Sequence, residues 1–311
     1  MKILITGGFG YLGSYLSKYF ENEGHDIYIL EKRSKTSITN TKYNYIQADI
    51  CNIDELRKKI DFEIDYCIHT AAAADYYIEN YYKIALEVNT LGTRNLLEIF
   101  KSKSLRKFIY ISTIHIYGNQ KESKITEQLM PNPINDYALS HLFAEYYIKQ
   151  YYELFKIPYI IFRLTNSYGV PLTYNSTKWY LVLNDLVKTA FEQNKIQLNS
   201  NGTASRDFIW QKNVAQVIEK SLYNDKIVND IYNLGSEKNY SIIDIAEKVK
   251  TIFSEIHEKD FLIIINQEDK IKYAENFISC QKLKSVLEYE IDDKIDFEIN
   301  NIINLLKSSS K

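Results

Sequence analysis

The chain has 311 residues, 45% of them hydrophobic and 25% charged, with a formal charge of −2, enough to bury a large core as one α/β unit or two unequal lobes. The balanced charge and the lack of any Lys/Arg block exclude the long-range attraction behind nucleic-acid binding. No stretch reaches the ~20 apolar residues of a membrane span and the first apolar run is too short for a signal peptide, so a soluble, cytoplasmic protein without membrane contact is expected.

Short apolar runs alternate with amphipathic segments from the N-terminus to about residue 165, the pattern of a parallel sheet wrapped by crossover helices. The first run (2–6) is predicted to be a strand, and a helix is predicted over 11–22. Between them four of the ten glycines crowd into residues 7–13. Such a strand, turn and helix N-terminus offers unpaired N–H groups to a pyrophosphate, and bare glycines let phosphates approach the backbone. Gly7, Gly10, Tyr11, Leu12 and Gly13 are therefore candidate dinucleotide ligands. The second strand (26–31) closes on Glu31, placed to accept hydrogen bonds from an adenosine ribose. Its charge favours NAD over NADP, although Arg33 is near enough in sequence to accommodate a 2′-phosphate.

Strands are also predicted at 43–47, 65–69, 107–112 and 158–163, with helices near 53–60, 80–102 and 136–155. Asp49 follows the third strand, where a carboxylate meets the adenine amino group, with Ile50 beside it. His69, Thr70, Ala71, Ala72 and Ala73 end the fourth strand, and their small side chains leave room for a coenzyme. Asn89 opens residues 89–93 inside the long helix. The fifth strand ends in residues 112–118, placing the Thr113 hydroxyl at the carboxyl end of the sheet, where open α/β folds bind ligands. Tyr137 and His141 share a face of the next helix at i, i+4 spacing.

After Asn166 the rhythm breaks. A polar loop (171–178), a helix near 180–193 and a short run at 195–198 read as a substrate-facing lobe. The chain is expected to return to the main sheet around 207–235, before a helix near 242–254, a strand near 261–265 and a helix after Asp296, with 308–311 as a loose tail. The expected organisation is a Rossmann-like doubly wound domain over 1–165 and a smaller substrate lobe from 166–206 and 236–311. Cys51, Cys67 and Cys280 are odd in number and far apart, which fits neither a disulfide framework nor a metal cluster and predicts three reduced, part-buried thiols.

At this point the chain resembles the extended short-chain dehydrogenase/reductases, in particular the nucleotide-sugar epimerase and dehydratase group. The resemblance is carried by residues 6–13, 69–72, 89–93, 112–118, Tyr137 with its i+4 partner, 163–169, 206–210 and 232–236, and covers nearly the whole chain. It implies that Tyr137 is the catalytic acid/base and that Thr113 orients the substrate oxygen. It also implies that Asn166 and Arg206 hold a nucleotide-diphosphate sugar, for whose diphosphate a guanidinium is geometrically apt.

Two positions depart from the family pattern. The family's lysine, which touches the nicotinamide ribose and acidifies the tyrosine, is His141 here. Bringing a phenol from about pKa 10 to 7 needs about 4 kcal/mol, and a histidine of ordinary pKa about 6.5 is mostly neutral at pH 7. The expectation is a working enzyme whose activity follows protonation of His141. Where family 4,6-dehydratases carry an acidic pair after the threonine, this chain has Ile114 and His115, which disfavours dehydration. His115 reads either as a second acid/base or substrate donor, or as a ring packed under the pocket. Trp179 and Tyr180 read either as a platform for a nucleotide base or as core of the variable lobe. Tyrosines 76, 77, 81, 82, 146, 147, 151 and 152 read as a homodimer interface or as packing within one subunit.

The function these features support is NAD-dependent oxidation at the C4 hydroxyl of a nucleotide sugar, as a 4-epimerase or 4-dehydrogenase in surface-polysaccharide or glycan biosynthesis. A 4-keto-sugar reductase and a non-catalytic dinucleotide-binding scaffold are the alternatives.

Overall fold

The computed structural model describes residues 1–34, 43–74, 79–120, 122–258, 260–273 and 275–309. In chain order it forms β1 (Lys2–Thr6), α1 (Tyr11–Asn22), β2 (Asp26–Glu31), β3 (Asn44–Gln47), α2 (Ile53–Lys59) and β4 (Tyr66–His69). Next come α3 (Tyr81–Ala85), a π-helical segment (Leu86–Gly92), α4 (Thr93–Phe100), β5 (Lys107–Thr113), β6 (Lys124–Ile125), α5 (Asp136–Phe155) and β7 (Tyr159–Leu164). The remainder holds β8 (Asn166–Tyr168), α6 (Val182–Gln193), β9 (Ile196–Gln197), β10 (Ser205–Trp210), α7 (Gln211–Tyr223), β11 (Asp230–Leu234) and β12 (Asn239–Ser241). It ends with α8 (Ile242–His257), β13 (Ile263–Ile264), β14 (Phe277–Ile278), α9 (Gln281–Lys284) and α10 (Ile295–Ser309).

Seven strands make one parallel sheet in the order β11-β7-β5-β4-β1-β2-β3. The apolar runs of β1, β4, β5 and β7 are buried on both faces, as a helix-covered parallel sheet requires. One core, built around Ile3, Ile5, Phe20 and Val214, fills one side. A second, around Leu4, Leu97, Phe108 and Ile148, fills the other. The register aligns Thr6 with Leu30 and His69, and Thr113 with Leu164, so the strand ends carrying the candidate chemistry lie along one edge. The strand order reverses beside β1, the topological switch point at which such sheets bind ligands.

A third core joins β8, β10, α6, α8 and α10 through Tyr168, Leu186, Trp210, Val249 and Ile299. β10 bridges β8 and β12 in a separate three-stranded sheet, while α7 packs back on α1 and β11 joins the main sheet. The return of the chain toward that sheet is thus made by α7 and β11, with β10 left in the smaller one.

Three expectations are corrected here. The long helix near 80–102 is interrupted by the π-helical segment: Thr93 Oγ1 bonds back to Asn89 O at 2.5 Å, and Gly92 sits where a Cβ would lie 2.6 Å from Ile50 Cδ1. Asn89 is a buried residue of this segment. Ser308 and Ser309 belong to α10, their hydroxyls bonded to Leu305 O, rather than to a tail. Cys51 is exposed while Cys67 and Cys280 are buried, all three unpaired. Among the described residues no helix is long and apolar enough to cross a membrane, and no group of His, Cys, Asp and Glu is placed to hold a metal.

Candidate active site

A cavity of about 510 Å³ opens over the carboxyl ends of β1, β2 and β4, walled by Gly7, Gly10, Tyr11, Glu31, Asp49, Ile50, Ala71 and Ala72 on one side and by residues 172–173 and 175–178 on the other. Its floor admits no side chains. Gly7 has φ +65°, and a Cβ there would meet Ala71 Cα at 2.8 Å; one on Gly13 would meet Gly7 O at 2.2 Å and Thr70 Oγ1 at 2.8 Å. Gly10 is the N-terminal cap of α1 and supplies no capping side chain, so the N–H groups of the first helical turn face the turn unblocked. This is the donor set a pyrophosphate requires.

The two carboxylates in this wall, where the sequence leads one to expect adenosine, are already paired. Glu31 is buried and receives Arg33 Nε at 3.1 Å, Nη2 at 2.9 Å and the Arg33 backbone N–H at 3.2 Å. Three of the roughly four lone-pair positions of a carboxylate are thereby used, which leaves one for a ribose hydroxyl. Asp49 pairs with Lys32 Nζ at 2.7 Å. Burial works against its charge, but the Lys32 ammonium and the Cys51 N–H together hold the carboxyl below its ordinary range.

Other candidates on this side are engaged by the fold. Tyr11 donates its hydroxyl to Gly169 O at 2.7 Å and accepts from Gly169 N at 2.9 Å, tying the glycine turn to the loop after β8. Leu12 packs its side chain against the core. The Asn89 amide is consumed by the protein: it accepts from Ala73 N at 2.7 Å and donates to Ala73 O and to Ser140 Oγ at 2.9 Å. Asn89 and Ala73 therefore brace the end of β4 against α5 and are not free to grip a coenzyme. His69 is likewise internal, bonded to Thr6 Oγ1 at 2.6 Å and Thr93 Oγ1 at 2.9 Å, with burial lowering its pKa to about 3.

α5 starts where Asn135 Oδ1 accepts the Ala138 N–H, which sets the rotation that turns Tyr137 and His141 toward β5. Tyr137 lies partly exposed in the first turn of α5. Burial pushes its phenol up to about 12, hydrogen bonding with Thr113 opposes the rise, and the nearby Tyr180 adds to it. Two imidazoles flank its ring nearly edge-on: His141 at 4.6 Å and 66°, and His115 at 6.1 Å and 69°. Thr113 is buried and accepts the His115 N–H at 3.2 Å, so the threonine and the turn that carries His115 move as one.

The expected role of His141 is corrected. Its side chain is buried, Nδ1 is 2.6 Å from the Tyr110 hydroxyl, and Nε2 is buried without a hydrogen-bond partner. Burial, and after it the nearness of His115, lower its pKa to about 3. Above that pH it is a neutral ring under Tyr137, unable to supply the ammonium's charge. His115 is exposed; desolvation and, after it, the Arg206 guanidinium lower its pKa too, so the reading as a packed core ring is set aside.

On the paired strands β8 and β10, Asn166 donates Nδ2 to Asp207 O at 2.9 Å, and Arg206 is exposed. Asp207, which sequence reasoning passed over, accepts Thr165 Oγ1 and the N–H groups of Ser236 and Glu237 within 2.9 Å and so locks the strand that presents Arg206. Trp179 is held in place, with Nε1 donating to Tyr174 O at 2.7 Å and Lys188 Nζ 5.2 Å from its ring. Lys178 is a second residue missed from sequence, because no motif in the loop after β8 marks its place in the cavity wall. Beneath the site, Glu145 takes Arg163 in two bonds of 3.1 and 2.8 Å and Ser112 Oγ at 2.6 Å, fastening α5 to β5 and β7.

Comparison with known proteins gives a consistent result. Residues 3–235 match the model of the NAD dependent epimerase/dehydratase family. The chain is 30% identical to a putative UDP-glucose 4-epimerase of Methanocaldococcus jannaschii over 99% of both chains. It is 31% identical to a dTDP-D-glucose 4,6-dehydratase of Dictyostelium discoideum, over 81% of this chain and 62% of that relative's length. Among solved structures it shares the fold of UDP-glucose 4-epimerase from Thermotoga maritima, with a TM-score of 0.86 and 19% identity over 100% of each chain. It also shares the fold of UDP-glucuronic acid 4-epimerase from Bacillus cereus in complex with NAD, with a TM-score of 0.83 and 23% identity over 100% of each chain.

Proposed function

The chain belongs to the NAD-dependent epimerase/dehydratase family, and from that premise we propose that it oxidises the C4 hydroxyl of a nucleotide-diphosphate sugar, as a 4-epimerase or a 4-dehydrogenase. The observation that carries this reading is the meeting of Thr113 and Tyr137 at the carboxyl end of the sheet whose neighbouring strands floor a glycine-lined cavity, with the Arg206 guanidinium near enough to His115 for its charge to act there. The bare glycine turn, the open helix N-terminus and Glu31 with one acceptor position remaining fit NAD. When bound, NAD supplies the hydride acceptor and, for epimerisation, the hydride donor.

The residues of the chain divide the remaining work. Arg206 and Asn166 fix the diphosphate and so the reach of the sugar into the cleft. Thr113 hydrogen-bonds the reacting oxygen, and Tyr137 takes its proton and returns it when the carbonyl is reduced. With a neutral imidazole beneath it, Tyr137 stays protonated at neutral pH until positive charge comes close, so in the coenzyme-free protein it is an acid rather than a base. Dehydration is disfavoured, because Ile114 cannot protonate a leaving hydroxyl.

Exposed Phe143, Tyr146 and Leu154 recur at helical spacing along α5, near exposed Tyr82, Leu86 and Leu91, and this apolar face supports a homodimer through the helices near 80–102 and 136–155. Of the other tyrosines, Tyr81 is tied to Ala73 O and Tyr151 to Glu98 within the subunit, Tyr147 and Tyr152 pack on its core, and Tyr76 and Tyr77 lie outside the described residues. A role in making surface polysaccharide or other glycans in the cytoplasm accords with this chemistry. The test is to incubate the purified protein and NAD with UDP-, GDP-, CDP- and dTDP-sugars. A C4 epimer or 4-ketone absent from Tyr137→Phe is the expected result. No conversion of any sugar by protein that binds NAD favours the scaffold.

A further inference from the structure

The cavity wall at Glu31 is built from charge pairs and not from a bare carboxylate. Arg33 grips both carboxylate oxygens, with Nε 3.1 Å from Oε1 and Nη2 2.9 Å from Oε2, and Lys32 Nζ lies 2.7 Å from Asp49. All four residues line the cavity. Two cations therefore answer two anions here, which removes the repulsion that an unpaired acidic rim presents to a phosphate. The Glu31 side chain is 9% exposed and that of Arg33 62%, so the acid is sunk in the wall while the guanidinium stands at its surface. Glu31 engages Nε and Nη2, and among the described residues Nη1 has no hydrogen-bond partner. Arg33 is also held through its backbone. The Tyr45 hydroxyl donates to Arg33 O, and the Tyr45 ring stacks on Phe9 at 5.6 Å and 7°. Phe9 belongs to the glycine turn and lines the same cavity, so the residue that carries the spare donor is fixed to the turn.

We propose that Arg33 sets the coenzyme choice of this chain and lets the cavity take the 2′-phosphorylated dinucleotide, NADP, alongside NAD and with comparable affinity. The proposal rests on the reading that this cavity binds the dinucleotide with its adenosine ribose at Glu31. A free carboxylate at that place discriminates in two ways: its oxygens accept from both ribose hydroxyls, and its charge repels a phosphate on one of them. Both effects are blunted here. Arg33 occupies three of the lone-pair positions of Glu31, so the ribose diol gains one bond in place of two. The unengaged Nη1 offers a 2′-phosphate charge-assisted hydrogen bonds in the planar geometry a guanidinium provides. Arg33 then bridges the phosphate and Glu31 together, and the buried carboxylate keeps its counter-charge, which spares the cost of leaving it unpaired.

The test reads binding and needs no turnover: radiolabelled NAD is displaced from the full chain by unlabelled NAD and by NADP, and the two affinities are compared. In the wild-type protein they are expected to lie within about 10-fold of each other. Arg33→Ala is expected to widen the ratio in favour of NAD by about 10-fold, the scale of one hydrogen bond to a charged group, because it frees Glu31 for the diol and removes the donor for the phosphate. Glu31→Gln is expected to turn the preference toward NADP. Thermal melts confirm that both variants fold. A wild-type preference for NAD above about 10-fold, an Arg33→Ala ratio within about 3-fold of wild type, or a Glu31→Gln protein that still prefers NAD overturns the proposal while leaving NAD as the coenzyme. Wild-type protein that binds no labelled NAD refutes the coenzyme reading itself, and the proposal with it.

Discussion

Replacing His141 with lysine puts the charge question to a direct test. The imidazole and the Tyr137 ring are 4.6 Å apart. A unit charge at that distance, at an effective dielectric near 20, is worth about 3.6 kcal/mol, or roughly 2.6 pH units in the ionisation of the phenol. Burial of the ammonium takes back part of this, so a downward shift of about 2 units from the present value near 12 is the expected size. At pH 8 the phenolate fraction then rises about 100-fold. The assay is the pH profile of kcat/KM for NAD reduction, alongside ring-labelled tyrosine NMR of Tyr137 and a thermal melt confirming that the variant folds. His141→Ala is the control, because a neutral ring contributes no charge, and its profile should keep the wild-type midpoint. A folded His141→Lys protein with an unmoved profile, or a His141→Ala profile that loses a step near pH 6.5, would refute the reasoning.

Acid stability follows from the same burial. His69 and His141 have folded pKa values near 3 against about 6.5 unfolded, so the unfolded chain binds more protons between those limits. Stability is full above about pH 6.5 and falls as pH drops toward 3, by up to about 1.4 kcal/mol per pH unit for each imidazole; urea midpoints at pH 7, 6 and 5 measure it, and a flat series contradicts it. Gly13→Ala forces its Cβ against Gly7 O at 2.2 Å and should weaken NAD binding at least 10-fold, about 1.4 kcal/mol, by fluorescence titration; unchanged affinity would mean the turn does not hold the pyrophosphate. Glu145→Gln leaves Arg163 buried without its counter-charge and is expected to cost about 3–5 kcal/mol in urea unfolding, with a loss under about 1 kcal/mol counting against the brace. His115→Ala should reduce turnover without altering NAD affinity, and normal kinetics would make the imidazole a bystander.

Local patterns were enough to read the sheet, the glycine turn and the strand-end hydroxyls, because each depends on neighbours a few residues away. Apolar runs of strand length flanked by amphipathic helices suit central parallel strands, and a glycine-rich turn between a strand and a helix keeps its backbone N–H groups uncovered by side chains. Thr113 and Tyr137 could be placed at a strand terminus and on a helix face from local pattern, while the roles expected of them came from the family resemblance and not from that pattern. What tertiary structure alone decided is electrostatic and combinatorial. The neutrality of His141 comes from burial against Tyr110 and Tyr137, contributed by different elements, and no i, i+4 spacing reveals desolvation. Asn89 spends its amide on Ala73 and Ser140, partners distant in sequence, and Lys178 reaches the cavity wall only because the fold carries the loop after β8 across to the glycine turn. Residue type fixes what a side chain is able to do, while the surrounding dielectric and the partners brought from far along the chain determine which of those capacities survives folding.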